Sequence, residues 1–533
     1  MKHLIVLSGP IGVGKSSFFE ALETFGAERI STRSYILDTT GCENERRALQ
    51  DAGDRLDRET DGGWVADAVE PVVEASSAPI LVLDSARIAK QVAALRSRFG
   101  GKLVHIHLYA DHEVLEERYM TRASDVREFD TYEQAAAHGT EAQVSTLADI
   151  ADLVLDGSAA TSEELAATAM AWLGQPAPRL ERTLDVIVGG QYGSEGKGNV
   201  CAHLAENYDC LVRIGGPNAG HRVADPKYKY VQFPSGSKSN PNAKIVIAAG
   251  STLWLPQLML EMLDHDVTPE RLTIDPQAIV IDDEDRRIEA GDTERGLNRI
   301  ATTAQGVGAA AARKILNRGD PVFGPPVKLA RDVEQLRPYV RSAREVIEAM
   351  LAQGRLVMLE GTQGTELSIH HGRYPHVTSR ETSSSGCLAD AGVSFDVVRD
   401  VIMVVRTYPI RVGGPSGAMG QVIDFETIQE RSNIPIEEFD KTERGTVSGR
   451  KRRVAEFDWA RIRRSAQLNG ATKIALTFAD YFGVENREAT DYASLNEQTQ
   501  AFIRKLEMVT GVPVACVSKA FAKDGVLEKG TWT

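Results

Sequence analysis

Short apolar runs, each closed by a small-residue or acidic turn and followed by a stretch with helical spacing, recur along this chain. Residues 1–7 run into a glycine loop and then a helical pattern over 17–25. Residues 80–84, 103–108 and 152–156 repeat the apolar run, and Thr161 with Glu164 forms a capping box that opens a further helix. The pattern restarts at residues 184–188, which enter a second glycine loop and a helical stretch over 199–207 marked by Val200 and Leu204. This alternation predicts an α/β fold with parallel sheets in both halves. Gly174-Gln175-Pro176-Ala177-Pro178-Arg179 reads as a linker. The expected domains are therefore 1–173 and 184–533, joined over 174–183.

The first glycine loop, Gly9-Pro10-Ile11-Gly12-Val13-Gly14-Lys15-Ser16, is a complete G-x-x-x-x-G-K-[ST] string placed between strand and helix. Its amides would wrap a β-phosphate, Lys15 would bridge β- and γ-oxygens, and Ser16, followed by Ser17, would hold Mg²⁺. Asp84 closes an apolar run and would orient the metal or its water, with Arg87 close behind. Taken with Arg33, Arg118 and Arg122, these residues resemble the acceptor and lid residues of nucleoside monophosphate kinases. The resemblance implies a nucleotide or deoxynucleotide kinase domain; a regulatory triphosphate-binding domain is the alternative. Each arginine alone also reads as surface charge.

The second loop, Gly189-Gly190-Gln191-Tyr192-Gly193-Ser194-Glu195-Gly196-Lys197-Gly198, follows its strand as an anion-binding turn should, and Lys197 supplies a point charge for phosphate. Gly215-Gly216-Pro217-Asn218-Ala219-Gly220-His221 adds one imidazole. Both turns resemble the signatures of adenylosuccinate synthetase, a Gly-Asp-Glu-Gly-Lys-Gly loop and a Gly-Gly-His-Asn-Ala-Gly-His turn. Ordered matches continue through most of residues 184–520, among them Phe233-Pro234-Ser235-Gly236, Glu360-Gly361-Thr362-Gln363-Gly364-Thr365 and Gly445-Thr446-Val447-Ser448-Gly449-Arg450-Lys451-Arg452-Arg453.

The resemblance implies phosphorylation of the 6-oxygen of a purine monophosphate, followed by displacement of that phosphate by the amine of L-aspartate. It implies His221, Lys197, Ser194 and Gln363 as the catalytic set, with His221 stabilising the phosphoryl group in transfer. Ser194, Asn218, Thr303, Gln363, Thr378 and Arg318 would bind the monophosphate, Arg318 across a homodimer. Thr446, Ser448, Arg450 and Arg452 would clamp aspartate, a task that suits forked guanidiniums. Gly193, Glu195, Gly196, Lys197, Gly198 and Asp480 would hold the triphosphate, and the Gly220 carbonyl would help coordinate the Mg²⁺ of this site, separate from the Mg²⁺ that Ser16 would hold in the first domain. Outside that context the run Arg450 to Arg453 reads as a solvated basic patch.

Three departures from the family pattern matter. Ser194 stands where ordinary members carry an aspartate that takes the N1 proton of inosinate, and a neutral hydroxyl cannot serve as that base. The smaller side chain leaves room for a 2-amino group, which resembles the phage branch that ligates aspartate to dGMP and gives N6-succino-2-amino-2′-deoxyadenylate. Pro217 replaces a histidine at the purine edge. Thr477-Phe478-Ala479-Asp480 stands for a Thr-Lys-Leu-Asp that reads guanine, which favours ATP or dATP over GTP, whereas Asp480 argues for GTP. A conventional synthetase using IMP and GTP, and a silent purine sensor coupled to the P-loop domain, are the rival readings.

With 533 residues and 42% hydrophobic content the chain can bury more than one core. Its net charge of −14 argues against general nucleic-acid affinity. Five scattered cysteines, without a CxxC, suggest neither disulfides nor zinc. The absence of a signal-peptide pattern and of a membrane-spanning run predicts a cytoplasmic protein whose partners are small nucleotides and aspartate.

Overall fold

The computed structural model describes residues 3–43, 46–84, 86–121, 131–137, 141–175, 180–291, 300–445, 449–522 and 524–529. The chain divides into two compact units, Met1–Arg179 and Leu180–Thr533. Among the described residues no helix is long and apolar enough to cross a membrane.

In the first unit β1 (His3–Ser8), β2 (Ala27–Ile30), β3 (Ile80–Asp84), β4 (Leu103–Tyr109) and β5 (Leu153–Asp156) form a parallel sheet in the order β2-β3-β1-β4-β5. Central β1 is buried from Leu4 to Ser8, as an apolar run covered on both faces must be. Its side chains alternate: Ile5 and Leu7 pack with Phe18, Leu22, Leu165 and Met170, while Leu4 and Val6 pack with Trp64, Val69 and Leu95. Each such aliphatic contributes roughly 1.5–3 kcal/mol on burial. The covering helices include α1 (Lys15–Glu23), α2 (Arg33–Thr40), α3 (Arg46–Thr60), α4 (Trp64–Ala75), α5 (Ala89–Phe99), α6 (His112–Met120) and α7 (Ser162–Trp172). The last opens on the capping box of Thr161 and Glu164 that its sequence predicts.

The second unit is built on a sheet of β6 (Leu184–Gly189), β7 (Cys210–Arg213), β8 (Lys244–Ile247), β9 (Leu272–Ile274), β10 (Val357–Glu360), β11 (Val398–Arg406), β12 (Lys473–Thr477), β13 (Val514–Ser518) and β14 (Val526–Glu528). Their order is β9-β8-β7-β10-β6-β11-β12-β13-β14, parallel except for the closing antiparallel pair β13 and β14. Helix α8 (Lys197–Leu204) follows the loop after β6, and a short hairpin of His221–Val223 with Tyr228–Tyr230 carries the imidazole. Strands β7 and β10 pair with Arg213 opposite Glu360. That register sets two charged side chains together at the carboxyl ends of the strands, where parallel sheets of this kind receive ligands.

Candidate functional site

In the second unit, the loop after β6 turns because Gly193 and Gly196 adopt φ of 89° and 88°, conformations that L side chains rarely take. Lys197, 2% exposed, donates to Glu195 Oε2 at 2.7 Å and to the Gln363 carbonyl. The buried Glu195 in turn accepts N–H groups of Gln191 and Gly193 at 3.0 and 2.7 Å, so the loop is braced by its own carboxylate. A Cβ on Gly198 would stand 2.7 Å from the His221 Cβ, and that close approach is what lets helix and imidazole share one cavity.

His221 is oriented from behind. Its Nδ1 meets Glu360 Oε1 at 2.5 Å and lies 2.9 Å from Arg213 and 3.2 Å from Ser235 Oγ. Glu360, fully buried, also binds Arg213 at 2.7 Å and the Ser235 N–H at 2.7 Å. Burial alone would raise the Glu360 pKa, but Arg213 and His221 outweigh it and hold the acid at about 2. Burial, then Arg213, push His221 down to about 4 against the pull of Glu360. Donation of Nδ1–H to the carboxylate leaves Nε2 as the working nitrogen, and an anionic oxygen placed there would raise its basicity.

Gly193, Ser194, Gly196, Lys197, Gly198, Gly220, His221, Arg452 and Asp480 all line one cavity of about 350 Å³. The Ser194 hydroxyl has no hydrogen-bond partner among the described residues; only its carbonyl is engaged, by Arg406 at 3.3 Å. Arg406 spans the cavity wall, its guanidinium 3.5 Å from the centroid of Phe478 and paired with Glu443. Glu443 also accepts from Arg452 at 2.9 Å and from Tyr481. Asp480 accepts from Arg487 Nε at 3.0 Å through Oδ2, while Oδ1 is buried without a partner. Burial, opposed by Arg487, raises the Asp480 pKa to about 6. Glu360, Arg213, Glu443 and Arg406 carry no local motif signal that assigns them a role; their pairings are made across the sheet.

The other expected ligands of the monophosphate gather less tightly. Gln363, at φ 60°, donates to Asn218 Oδ1 at 3.2 Å and accepts from Thr362 Oγ1 at 2.7 Å. Thr303 and Thr378 are half-buried, and no hydrogen bond joins either to Asn218 or Gln363. Arg318 is exposed, whereas its neighbour Asn317 is buried and tied to Phe323 and Pro325 carbonyls at 2.7 and 3.2 Å. Arg450 is exposed on its loop; Thr446 and Ser448 lie outside the described residues. Among the described residues no cluster of His, Cys, Asp or Glu would hold a metal alone. The oxygen donors available, the Gly220 carbonyl and the Ser194 hydroxyl, suit a Mg²⁺ ion that arrives on a triphosphate.

In the first unit Gly9, Gly12, Gly14, Lys15, Ser16, Ser17, Asp84, Arg87 and Arg118 line a cavity of about 830 Å³. Lys15 Nζ donates to the Gly9 and Pro10 carbonyls at 2.5 and 3.1 Å. Asp84 pairs with Arg29, and Arg118 donates to the Gly157 carbonyl at 2.9 Å. Arg33 is exposed at the start of α2 and does not line the cavity; Arg122 lies outside the described residues. Below the loop Ser8 Oγ sits 2.7 Å from His105 Nε2 and 2.8 Å from His107 Nδ1. Burial and then His105 lower His107 to about 4, so a neutral chain underlies the phosphate loop.

Residues 186–322 and 327–486 match the family model of adenylosuccinate synthetase. The adenylosuccinate synthetase of Methanocaldococcus jannaschii is 37% identical over 344 residues, which cover 63% of this chain and 94% of that protein. That of Thermococcus sibiricus is 36% identical over 343 residues, covering 62% and 94%. Among solved structures, fully ligated adenylosuccinate synthetase from Plasmodium falciparum superposes with a TM-score of 0.57 at 20% identity, over 65% of this chain and all of the other. Cyanophage S-2L succinoaminodeoxyadenylate synthetase, bound to dGMP and to dATP as an energy donor, gives 0.54 at 27% identity, over 66% and 97%.

Proposed function

The chain belongs to the adenylosuccinate synthetase family, and from that premise we propose that its second unit ligates L-aspartate to C6 of dGMP with ATP or dATP as donor. The observation that carries this reading is Ser194, an unengaged hydroxyl on the cavity wall where ordinary members have a carboxylate. It can accept a hydrogen bond from an exocyclic 2-amino group but cannot hold the N1 proton. The likeness to the cyanophage enzyme bound to dGMP and dATP supports the same choice.

The purine 6-oxygen attacks the γ-phosphorus, the N1 proton is released to water, the bond to the bridging oxygen breaks, and nucleoside diphosphate leaves. The neutral amine of aspartate then attacks C6, phosphate departs, and the amine proton leaves with it. Lys197 and the loop amides hold the triphosphate, and His221, aimed by Glu360 and protonated at Nε2 once the phosphoryl oxygens raise its basicity, then donates from Nε2 to those oxygens in transfer. The Gly220 carbonyl would help hold a Mg²⁺ ion arriving on the triphosphate, which would supply charge neutralisation for the phosphate oxygens. Gln363, pinned by Thr362 and Asn218, faces the purine edge; Arg450 and Arg452 take the aspartate carboxylates. Phe478 in place of a lysine favours an adenine donor. The reading includes a homodimer, with Arg318 directed to the partner's monophosphate, and a first unit that acts as a triphosphate-dependent kinase.

Aspartate-dependent phosphate release with ATP or with GTP, compared across dGMP, GMP, IMP and dIMP with the succinyl product identified by mass, tests the proposal. Release best with dGMP supports it. Release only with IMP and GTP returns the chain to conventional adenylosuccinate synthesis, which the buried, half-unpaired carboxylate of Asp480 favours, since it suits the N–H edge of guanine.

A further inference from the structure

The cavity on the phosphate loop of the first unit is more than twice the volume of the triphosphate cavity in the second, about 830 against 350 Å³. It therefore has room for a second ligand beside a nucleoside triphosphate. Past the loop its walls come from α2, α3, α4 and the turn between β3 and α5, and side-chain contacts tie them to one another. Trp64, 5% exposed, stacks on Tyr35 with ring centroids 6.1 Å apart and donates its Nε1–H to Asp57 Oδ1 at 2.6 Å. Gln91 donates to both Asp57 oxygens at 3.0 and 3.1 Å and accepts the Arg87 N–H at 2.9 Å. Ile36, Leu49 and Val65 complete an apolar wall around the indole. Such a wall suits a flat ring.

The charges at this end decide what the ring carries. Asp54, Asp57 and Asp84 line it, against Arg87 and the Arg29 that pairs with Asp84, a formal balance of −1 among the described residues. The other cations of the cavity stand at its loop end, Lys15 against the Gly9 and Pro10 carbonyls and Arg118 against those of Val13 and Gly157. At this end a phosphate dianion would meet more carboxylates than cations, whereas hydroxyl and amino groups would find carboxylate oxygens, and Asp54 has no hydrogen-bond partner among the described residues. Asp84, its side chain 12% exposed, ends β3 in register with Leu7 just before the loop. It can therefore reach a group poised at the γ-phosphate. The Arg87 guanidinium has no partner among the described residues and is available for charge developing on the transferred phosphoryl group.

Resting on the kinase reading of this unit, we propose that its acceptor is a neutral purine nucleoside, phosphorylated on a hydroxyl, rather than a nucleotide phosphorylated on a phosphate. The acceptor oxygen attacks the γ-phosphorus, the bond to the bridging oxygen breaks, nucleoside diphosphate leaves, and the hydroxyl proton passes to Asp84. The product is a purine monophosphate, the chemical class that the second unit consumes.

The test uses the full chain with Mg²⁺ and ATP, without aspartate, offered deoxyguanosine, guanosine, dGMP or GMP, with the phosphorylated product identified by mass. A nucleoside monophosphate is expected from the nucleosides. Asp84→Asn is expected to lower kcat for this transfer about 100-fold with a smaller change in KM for the nucleoside; binding of a fluorescent ATP analogue to the first unit is defined as the part lost in Lys15→Ala. Trp64→Leu is expected to raise KM for the nucleoside about 10-fold with a smaller change in kcat. Conversion of dGMP to dGDP with inert nucleosides would overturn the acceptor assignment and leave the kinase reading standing. ATP binding unaffected by Lys15→Ala, or transfer to none of these acceptors, would overturn the kinase reading and the proposal together.

Discussion

Glu443 is 1% exposed and stands between two guanidiniums, those of Arg406 and Arg452, with the Tyr481 hydroxyl as a third donor. Burial works to raise its pKa, yet Arg406 and Arg452 hold it at about 2 against an ordinary 4.5. A depression of that size corresponds to about 3 kcal/mol of native-state stabilisation. Glu443→Gln keeps the volume and removes the charge, leaving buried Arg406 facing an amide. Breaking a buried pair from one side costs roughly 3–5 kcal/mol, so the expected loss at neutral pH is about 3 kcal/mol, read by urea unfolding. Because the folded pKa is depressed, the contribution is whole above pH 4.5 and is lost as pH falls through the folded value. The gap between wild type and variant should shrink to roughly half by pH 3 and be nearly gone at pH 2. A loss below about 1 kcal/mol at neutral pH, or a gap that widens in acid, would refute this account of the network.

Ser194→Asp is expected to shift the kcat/KM ratio of IMP to dGMP by about 10-fold or more toward IMP, equivalent to about 1.4 kcal/mol; an unchanged ratio in the phosphate-release assay would remove Ser194 from substrate choice. Gly198→Ala should lower kcat for ligation about 100-fold with little loss of fold, because the new methyl displaces His221; circular dichroism and steady-state kinetics together check it. Asp480 has a folded pKa raised to about 6, so stability falls as pH rises from the ordinary 3.8 to that value, and donor affinity should change with a midpoint near pH 6. Asp480→Asn should abolish that midpoint in an affinity titration.

Both phosphate loops were legible because each joins a local glycine pattern to a strand before it and a helix after it. Lys197, His221 and Ser194, singled out by their motifs, line one cavity. The residues that orient them were not legible. Glu360 stands inside a recognised string, but its partners Arg213 and His221 meet it only through the pairing of β7 with β10. Glu443 and Arg406 are paired across 37 positions of chain and look, in sequence, like ordinary surface charges. Arg33 illustrates the converse: a plausible arginine beside a strand end, which the path of α2 leaves exposed. Charge pairing in a core is a property of topology, so no window of sequence contains it.

Gln363 touches both sides of the ligase site. Its carbonyl receives Lys197 of the phosphate loop, and its amide reaches Asn218 in the turn expected to meet the purine. It does so from a left-handed backbone conformation that costs about 1–3 kcal/mol for a residue with a side chain. Any motion of this residue that suits one ligand is thus felt at the other. Thermodynamic linkage then requires symmetry: the factor by which a bound triphosphate changes the Kd of the monophosphate must equal the factor by which the monophosphate changes that of the triphosphate.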